Sequence, residues 1–151
     1  MSEVNLLSVP VVEDEGDPPG YNAWYARVGP LVGGEGLGLS VYELPPGQSI
    51  CPYHYEEGFE EWLIVLTGHP TLRTPAGEQE LRPWDAVFFP EGEEGAHKVT
   101  NRTDEKLRVA MLSNKTSPGV AVYPDSDKVG VFPMRKLFRV SDAVDYFEGE
   151  T

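Results

Sequence analysis

The sequence predicts an all-β domain, a small barrel or sandwich, on three observations. Short apolar segments recur between turn signals from Tyr21 to Tyr123. Glycine (16) and proline (14) make up about a fifth of the chain, often enough to interrupt long helices. Leu37, Leu39 and Val41 alternate with Gly38, Ser40 and Tyr42, the period of two that a strand requires.

The elements follow in order. An apolar stretch over residues 6–12 gives way to the acidic, turn-prone Glu13 to Gly20, read as a loop. The strand over Leu37 to Tyr42 stops at Pro45-Pro46-Gly47. Glu61 to Thr67 (EWLIVLT) is almost continuously apolar and ends at Gly68, as expected of a strand covered on both sides. Thr71 to Arg73 and Glu78 to Leu81 flank a turn at Thr74-Pro75-Ala76-Gly77, and Arg82-Pro83-Trp84-Asp85 is a second turn before Ala86 to Phe89. Ala96 to Thr100, Lys106 to Leu112 and Val120 to Tyr123 complete the strands. At the tail, Ser141 is placed to cap a short C-terminal helix over Asp142 to Phe147. No internal repeat is present, which excludes a duplicated two-barrel chain.

With 151 residues the chain is expected to form one domain that buries a core without disulfides. Its net charge of −13 disfavours nucleic acid and anionic lipid as partners. No apolar run approaches the ~20 residues of a membrane span, and the first residues lack the basic and apolar regions of a signal peptide. A single cysteine, Cys51, leaves no intramolecular disulfide and no CxxC zinc ribbon. By elimination, the expected location is the cytoplasm.

Some polar residues stand out. His54 and Glu56, two apart in extended chain, share a face with Cα atoms about 6.6 Å apart. Glu60-Glu61 opens the most apolar strand, where an unpaired carboxylate is costly once buried. His97 begins another strand. Two imidazoles with a carboxylate form a ligand set suited to divalent transition metals. On spacing alone, surface or turn-edge histidines beside a solvated acidic patch fit equally well.

The run from Gly47 through His54-Tyr-Glu56 and Glu61 to Gly68 resembles the first motif of the cupin superfamily: a glycine, H-x-H, a glutamate, six residues and a glycine. Trp84 to Pro90, then Gly95-Ala-His97-Lys-Val-Thr-Asn101, resembles the second. The resemblance spans roughly Pro45 to Ser113, and the flanks are similar to those of bacterial single-domain cupins (monocupins). It implies a single cupin double-stranded β-helix over residues 36–113, with flanking segments at 1–35 and 114–151.

Carried over, the motifs place His54, Glu61 and His97 as ligands of one divalent metal (Mn, Fe, Ni or Zn). Glu61 is preferred to Glu60 because six residues separate it from Gly68. Glu56 stands where the motif has its second histidine. It is therefore a fourth candidate ligand and a candidate general base, or else the metal has been lost and two acids share a proton. Trp84 replaces a motif glycine, which a switch to a type I turn would accommodate.

Among the remaining residues, Cys51 is read as a small apolar residue, and His69 as a turn residue held in reserve as a ligand. Tyr53 and Tyr55 are read as packing between barrel and flanks, and Trp62, Phe88 and Phe89 as core. Arg73 and Arg108 are read as strand-exposed, with anion binding inside the barrel the alternative. The expected function is a metal-dependent enzyme on a small organic molecule, an oxygenase, isomerase or decarboxylase, with its catalytic residues unassigned. The alternatives are a non-catalytic small-ligand binder and a structural dimer with a vestigial site. The resemblance also implies a homodimer formed through the flanks.

Overall fold

The computed structural model describes residues 2–13, 16–115 and 118–151, so Asp14 and Glu15 of the expected acidic loop lie outside the described residues. The chain opens with β1 (Val12–Glu13), β2 (Trp24–Arg27), the one-turn helix α1 (Val28–Leu31) and β3 (Leu37–Leu44). The middle supplies β4 (Tyr55–Glu57), β5 (Glu61–Thr67), β6 (Thr71–Thr74), β7 (Gly77–Glu80), β8 (Ala86–Phe89) and β9 (Lys98–Thr100). The last are β10 (Leu107–Asn114), β11 (Gly119–Tyr123), β12 (Lys128–Phe132) and β13 (Lys136–Arg139).

A six-stranded sheet in the order β1-β2-β3-β10-β5-β8 forms one wall. The sheets β13-β12-β11-β4 and β7-β6-β9 supply the others. Between them Leu44, Leu63, Val65, Leu72, Leu81, Phe89, Val99, Leu107 and Val109 form the barrel interior. Each fully buried leucine there contributes about 2 kcal/mol of burial free energy.

On the other face of the large sheet, Val9, Ala26, Val28, Val41, Leu66 and Ala110 make a second cluster beneath the N-terminal segment. This double cover explains the apolar run of β5. Arg108 ties that segment down. Its Nη1 donates to the carbonyls of Leu6, Leu7 and Val9, and its Nε donates to Glu43 at 2.9 Å. Arg108 is thus a strap holder rather than an anion site, and Arg73 pairs with Asp125 on the surface.

Four expectations are corrected. Trp62 (46% exposed) and Phe88 (41%) are not core: they pack on each other, ring centroids 5.1 Å apart, on the outer sheet face. Only Phe89 is buried, because alternate residues of β8 face opposite ways.

The turn Arg82–Asp85 is not type I, since Trp84 has φ 74°. The Trp84 amide donates to the Val65 carbonyl (2.8 Å) and the Val65 amide donates to the Asp85 carbonyl (3.0 Å). Two residues therefore oppose one, a bulge that demands the left-handed conformation at its first position. The tryptophan side chain stays in solvent.

The expected C-terminal helix is a single 3₁₀ turn, Val140–Asp142, and the chain is extended again at Ala143. Val144, Tyr146 and Phe147 remain exposed, so no packed face rewards a longer helix. Finally, the flanks are more than packing. β2 joins the large sheet by pairing with β3, and β12 and β13 extend the sheet that carries β4.

Candidate metal centre

The centre is built where β4, β5 and the strand entering β9 meet at one end of the barrel. His54 and His97 form a bridge just outside their strands: His54 donates its amide to the His97 carbonyl at 3.1 Å, and His97 returns one at 2.8 Å. The exchange sets the imidazoles side by side, with ring centroids 4.8 Å apart. Each ring is then oriented through Nδ1, which donates to a carbonyl: Pro52 for His54 (3.0 Å) and Gly95 for His97 (2.9 Å). Both Nε2 atoms are left as acceptors, the arrangement in which a metal-binding imidazole is held by its other nitrogen.

Local sequence enforces these positions. A Cβ on Gly95 would sit 1.8 Å from the Pro90 carbonyl oxygen, so only glycine lets the His97 loop close this tightly. Gly68, with φ 77°, ends β5 where a Cβ would lie 2.5 Å from that of Leu107. Phe89 stacks flat on His97 (3.7 Å, 8°) and Tyr123 on His54 (5.7 Å, 20°). Asn101, the last residue of the second motif, is fully buried and structural. Its Nδ2 donates to the carbonyls of Leu44 and Glu105, and its Oδ1 accepts from Thr103.

His54, Glu61 and His97 come together with ligand atoms all within 4.8 Å of one another. Glu56, on β4, lies outside that tight group but close enough for its charge to act on Glu61. His69 is on the surface, 4.0 Å from Glu80, and does not face the interior. Cys51 is nearer than its strand parity suggests. The chain bends at residues 50–53, and its Sγ lies 3.5 Å from His54 Nδ1. Burial pushes its thiol up to about 12, so it remains an uncharged, unreactive group.

Burial dominates the electrostatics. It pushes Glu56 up to about 7, and together with the Glu56 charge it pushes Glu61 up to about 8. Burial and the neighbouring His54 push His97 down to about 4, and burial lowers His54 as well. The 3.6 Å approach of His97 Nε2 to Glu61 is therefore no ion pair at neutral pH, since both partners are neutral. Neutral imidazoles with protonated carboxyls suit a divalent cation, which needs unprotonated nitrogens and whose charge favours loss of the carboxyl protons.

Several contributors had no clear signal in the sequence. Phe89 is core, as the sequence predicts, but it also plates His97. Tyr123 comes from outside the expected barrel. Ser40 and Tyr42 face inward, although they hold the polar parity of β3; only that inverted alternation hinted at a polar mouth. Burial raises Tyr42, so its phenol keeps its proton.

A small β-barrel with two backbone-coupled histidines and carboxyls near one end is a barrel whose side chains could hold a metal ion. The cupin domain family matches residues 40–113, about half of the chain, and the chain belongs to the cupin superfamily. A proposed sugar phosphate isomerase from Acidithiobacillus ferrooxidans is 26% identical, with TM-score 0.78 over 84% of this chain and 82% of that one. A sugar phosphate isomerase of the cupin superfamily from Silicibacter pomeroyi is 23% identical, with TM-score 0.83 over 97% and 98%. A polyketide cyclase from Streptomyces resistomycificus is 23% identical, with TM-score 0.64 over 79% and 83%. No curated protein shows significant sequence similarity to the chain. Among the described residues, no helix is long and apolar enough to cross a membrane.

Proposed function

We propose that this cupin is a metal-dependent enzyme acting on a small organic molecule, with one divalent transition metal (Mn, Fe, Ni or Zn) held by His54, Glu61 and His97 and with Glu56 as a fourth ligand. One observation carries the reading: both imidazoles are pinned through Nδ1, and Glu61 meets them within ligand distance. Such an ion supplies Lewis-acid polarisation or, as iron, an oxygen-binding centre. The chain's own residues exclude water through Phe89 and Tyr123 and keep Glu56 poised near neutrality to hold or release a proton. Of the oxygenase, isomerase and decarboxylase classes, the likeness to the Acidithiobacillus protein favours isomerisation.

A second reading, a non-catalytic ligand binder without metal, is favoured by the same neutrality. Glu61 and His97 are neutral and Glu56 is close to its midpoint at neutral pH, so the cluster carries little charge and needs no ion. Elemental analysis of protein purified without added metal separates the two. We expect near-stoichiometric Mn, Fe, Ni or Zn that disappears in His97→Ala. A metal-free protein whose stability ignores chelator and added metal would sink the enzyme reading.

The proposal includes a homodimer assembled through the flanks, supported by exposed Leu137, Phe138, Tyr146 and Phe147. Light scattering on eluting protein tests it, and a monomer at high concentration would remove it.

A further inference from the structure

We infer that the mouth of the barrel takes a small organic anion whose acidic group is held by Arg27 and Lys115, with the rest of the molecule directed past Ser40, Tyr42 and Ser113 toward Glu61. This deepens the proposed function by naming a substrate class, and rests on it for the chemistry performed there.

A cavity of about 320 Å³ is lined by all six of these side chains, and Glu61 is the member of the metal cluster that reaches it. A larger cavity of about 510 Å³ touches Cys51 and Tyr53 but none of the four candidate ligands. The smaller one is therefore the approach to the centre.

Strand register explains its composition. Arg27 pairs with Ser40 and Ser40 with Met111, forming one rung across β2, β3 and β10. Gly38 pairs with Ser113 and Ser113 with Glu61, forming the next rung across β3, β10 and β5. Residues opposite one another across a ladder share a face, so these polar groups point where Leu63, Val65 and Val109 point deeper down. The interior thus grades from aliphatic at its base to hydroxyl-lined at its mouth. Lys115 follows β10 and donates to the Gly34 carbonyl at 3.4 Å, which keeps its ammonium beside the same opening.

The cations of the mouth are set apart by where they stand. Of the 12 basic residues, Arg73, Arg102, Lys106 and Arg108 are each paired with a carboxylate, and Arg27 and Lys115 are the two cations that line this cavity. Among the described residues neither Arg27 nor Lys115 has a carboxylate within ion-pair distance; Arg27 leans on the Tyr25 ring, 5.6 Å from its centroid. Two cations at one opening repel each other, and a bound acid group relieves that repulsion while accepting charge-assisted hydrogen bonds. The hydroxyls of Ser40, Tyr42 and Ser113 suit a ligand that carries polar oxygens as well.

The test is calorimetry with amide-shift mapping at constant ionic strength, using inorganic phosphate in one arm and acetate in the other. We expect saturable binding of at least one anion with shifts at Ser40, Ser113 and Lys115; the arm that binds distinguishes a phosphate head from a carboxylate. Affinity should fall about tenfold in Arg27→Gln and in Lys115→Gln, the loss of one hydrogen bond to a charged group. It should be unchanged in Arg102→Gln, which removes a cation paired with Glu78 elsewhere. Binding of neither anion, or wild-type affinity retained in the two mouth variants, overturns the inference. Metal content measured on the same samples keeps the two ideas apart. Metal without anion binding removes this inference alone, whereas anion binding without metal leaves it standing and removes the metal reading.

Discussion

His54 and His97 exchange both backbone hydrogen bonds although 43 positions separate them in the chain, and Glu61 closes the group from a third segment. The candidate centre is thus tied to a main-chain bridge between the residue that precedes β4 and the one that precedes β9. The rotamer of each ring is fixed in turn, because its Nδ1 is held by a carbonyl two residues away in the chain.

This geometry ranks the candidate ligands. Glu61→Gln should abolish stoichiometric metal binding, because the amide cannot supply the anionic oxygen between two imidazoles. Glu56→Gln, outside the tight group, should retain metal with affinity reduced about tenfold, because the other three ligands remain. Competition titration with Zn or Mn against a chromophoric chelator measures both. Equal losses in the two variants would place Glu56 on the same footing as Glu61.

In the presence of chelator, stability should fall as pH rises from 6.5 to 8. The folded chain holds the Glu61 proton up to about 8 and the Glu56 proton up to about 7, whereas the unfolded chain releases both near 4.5. Over that window the folded state binds more protons, so each step up in pH favours unfolding. His97 acts in the opposite sense: its folded value near 4 against 6.5 unfolded adds stability as pH rises between those values, and its contribution is complete above 6.5. Melting temperatures across pH 6.5–8 should therefore decline in the wild type and decline much less in Glu61→Gln. Identical slopes would show that Glu61 is not held protonated.

Asn101→Ala should cost about 3 kcal/mol in urea unfolding. It leaves the buried carbonyls of Leu44 and Glu105 without their shared donor and releases Thr103. A loss below about 1 kcal/mol would mean that water replaces the amide.

Trp84→Gly should stabilise the chain by about 1 kcal/mol. The left-handed backbone at this bulge strains any residue with a Cβ, and the exposed indole (71%) gives up little packing when removed. The gain is partly offset by the greater freedom of glycine in the unfolded chain. Measured destabilisation would show that the indole is held against another surface.

Much of the fold was legible in the sequence because its signals are local. The bounds of β5 and β8 follow from apolar runs stopped by Gly68 and Pro90, and the β6–β7 hairpin follows from Pro75 and Gly77. β2 and the β12–β13 hairpin left no comparable mark, since few of their residues are buried and their apolar patterning is correspondingly weak. Trp62 and Phe88 were misplaced for a related reason: hydrophobicity does not reveal where the N-terminal cover stops.

By itself the sequence determined the all-β class, the succession of strands, and the identity of two histidines and one glutamate at motif spacing. Tertiary structure decided the rest. It set which ring nitrogen faces the centre, how far Glu56 stands from it, that Tyr123 plates His54, and that Arg27 reaches the mouth from a flank. The physical reason is range. Turn chemistry and periodicity act over a few neighbouring residues, whereas desolvation, ring stacking and cross-strand register depend on which distant segments the barrel brings into contact.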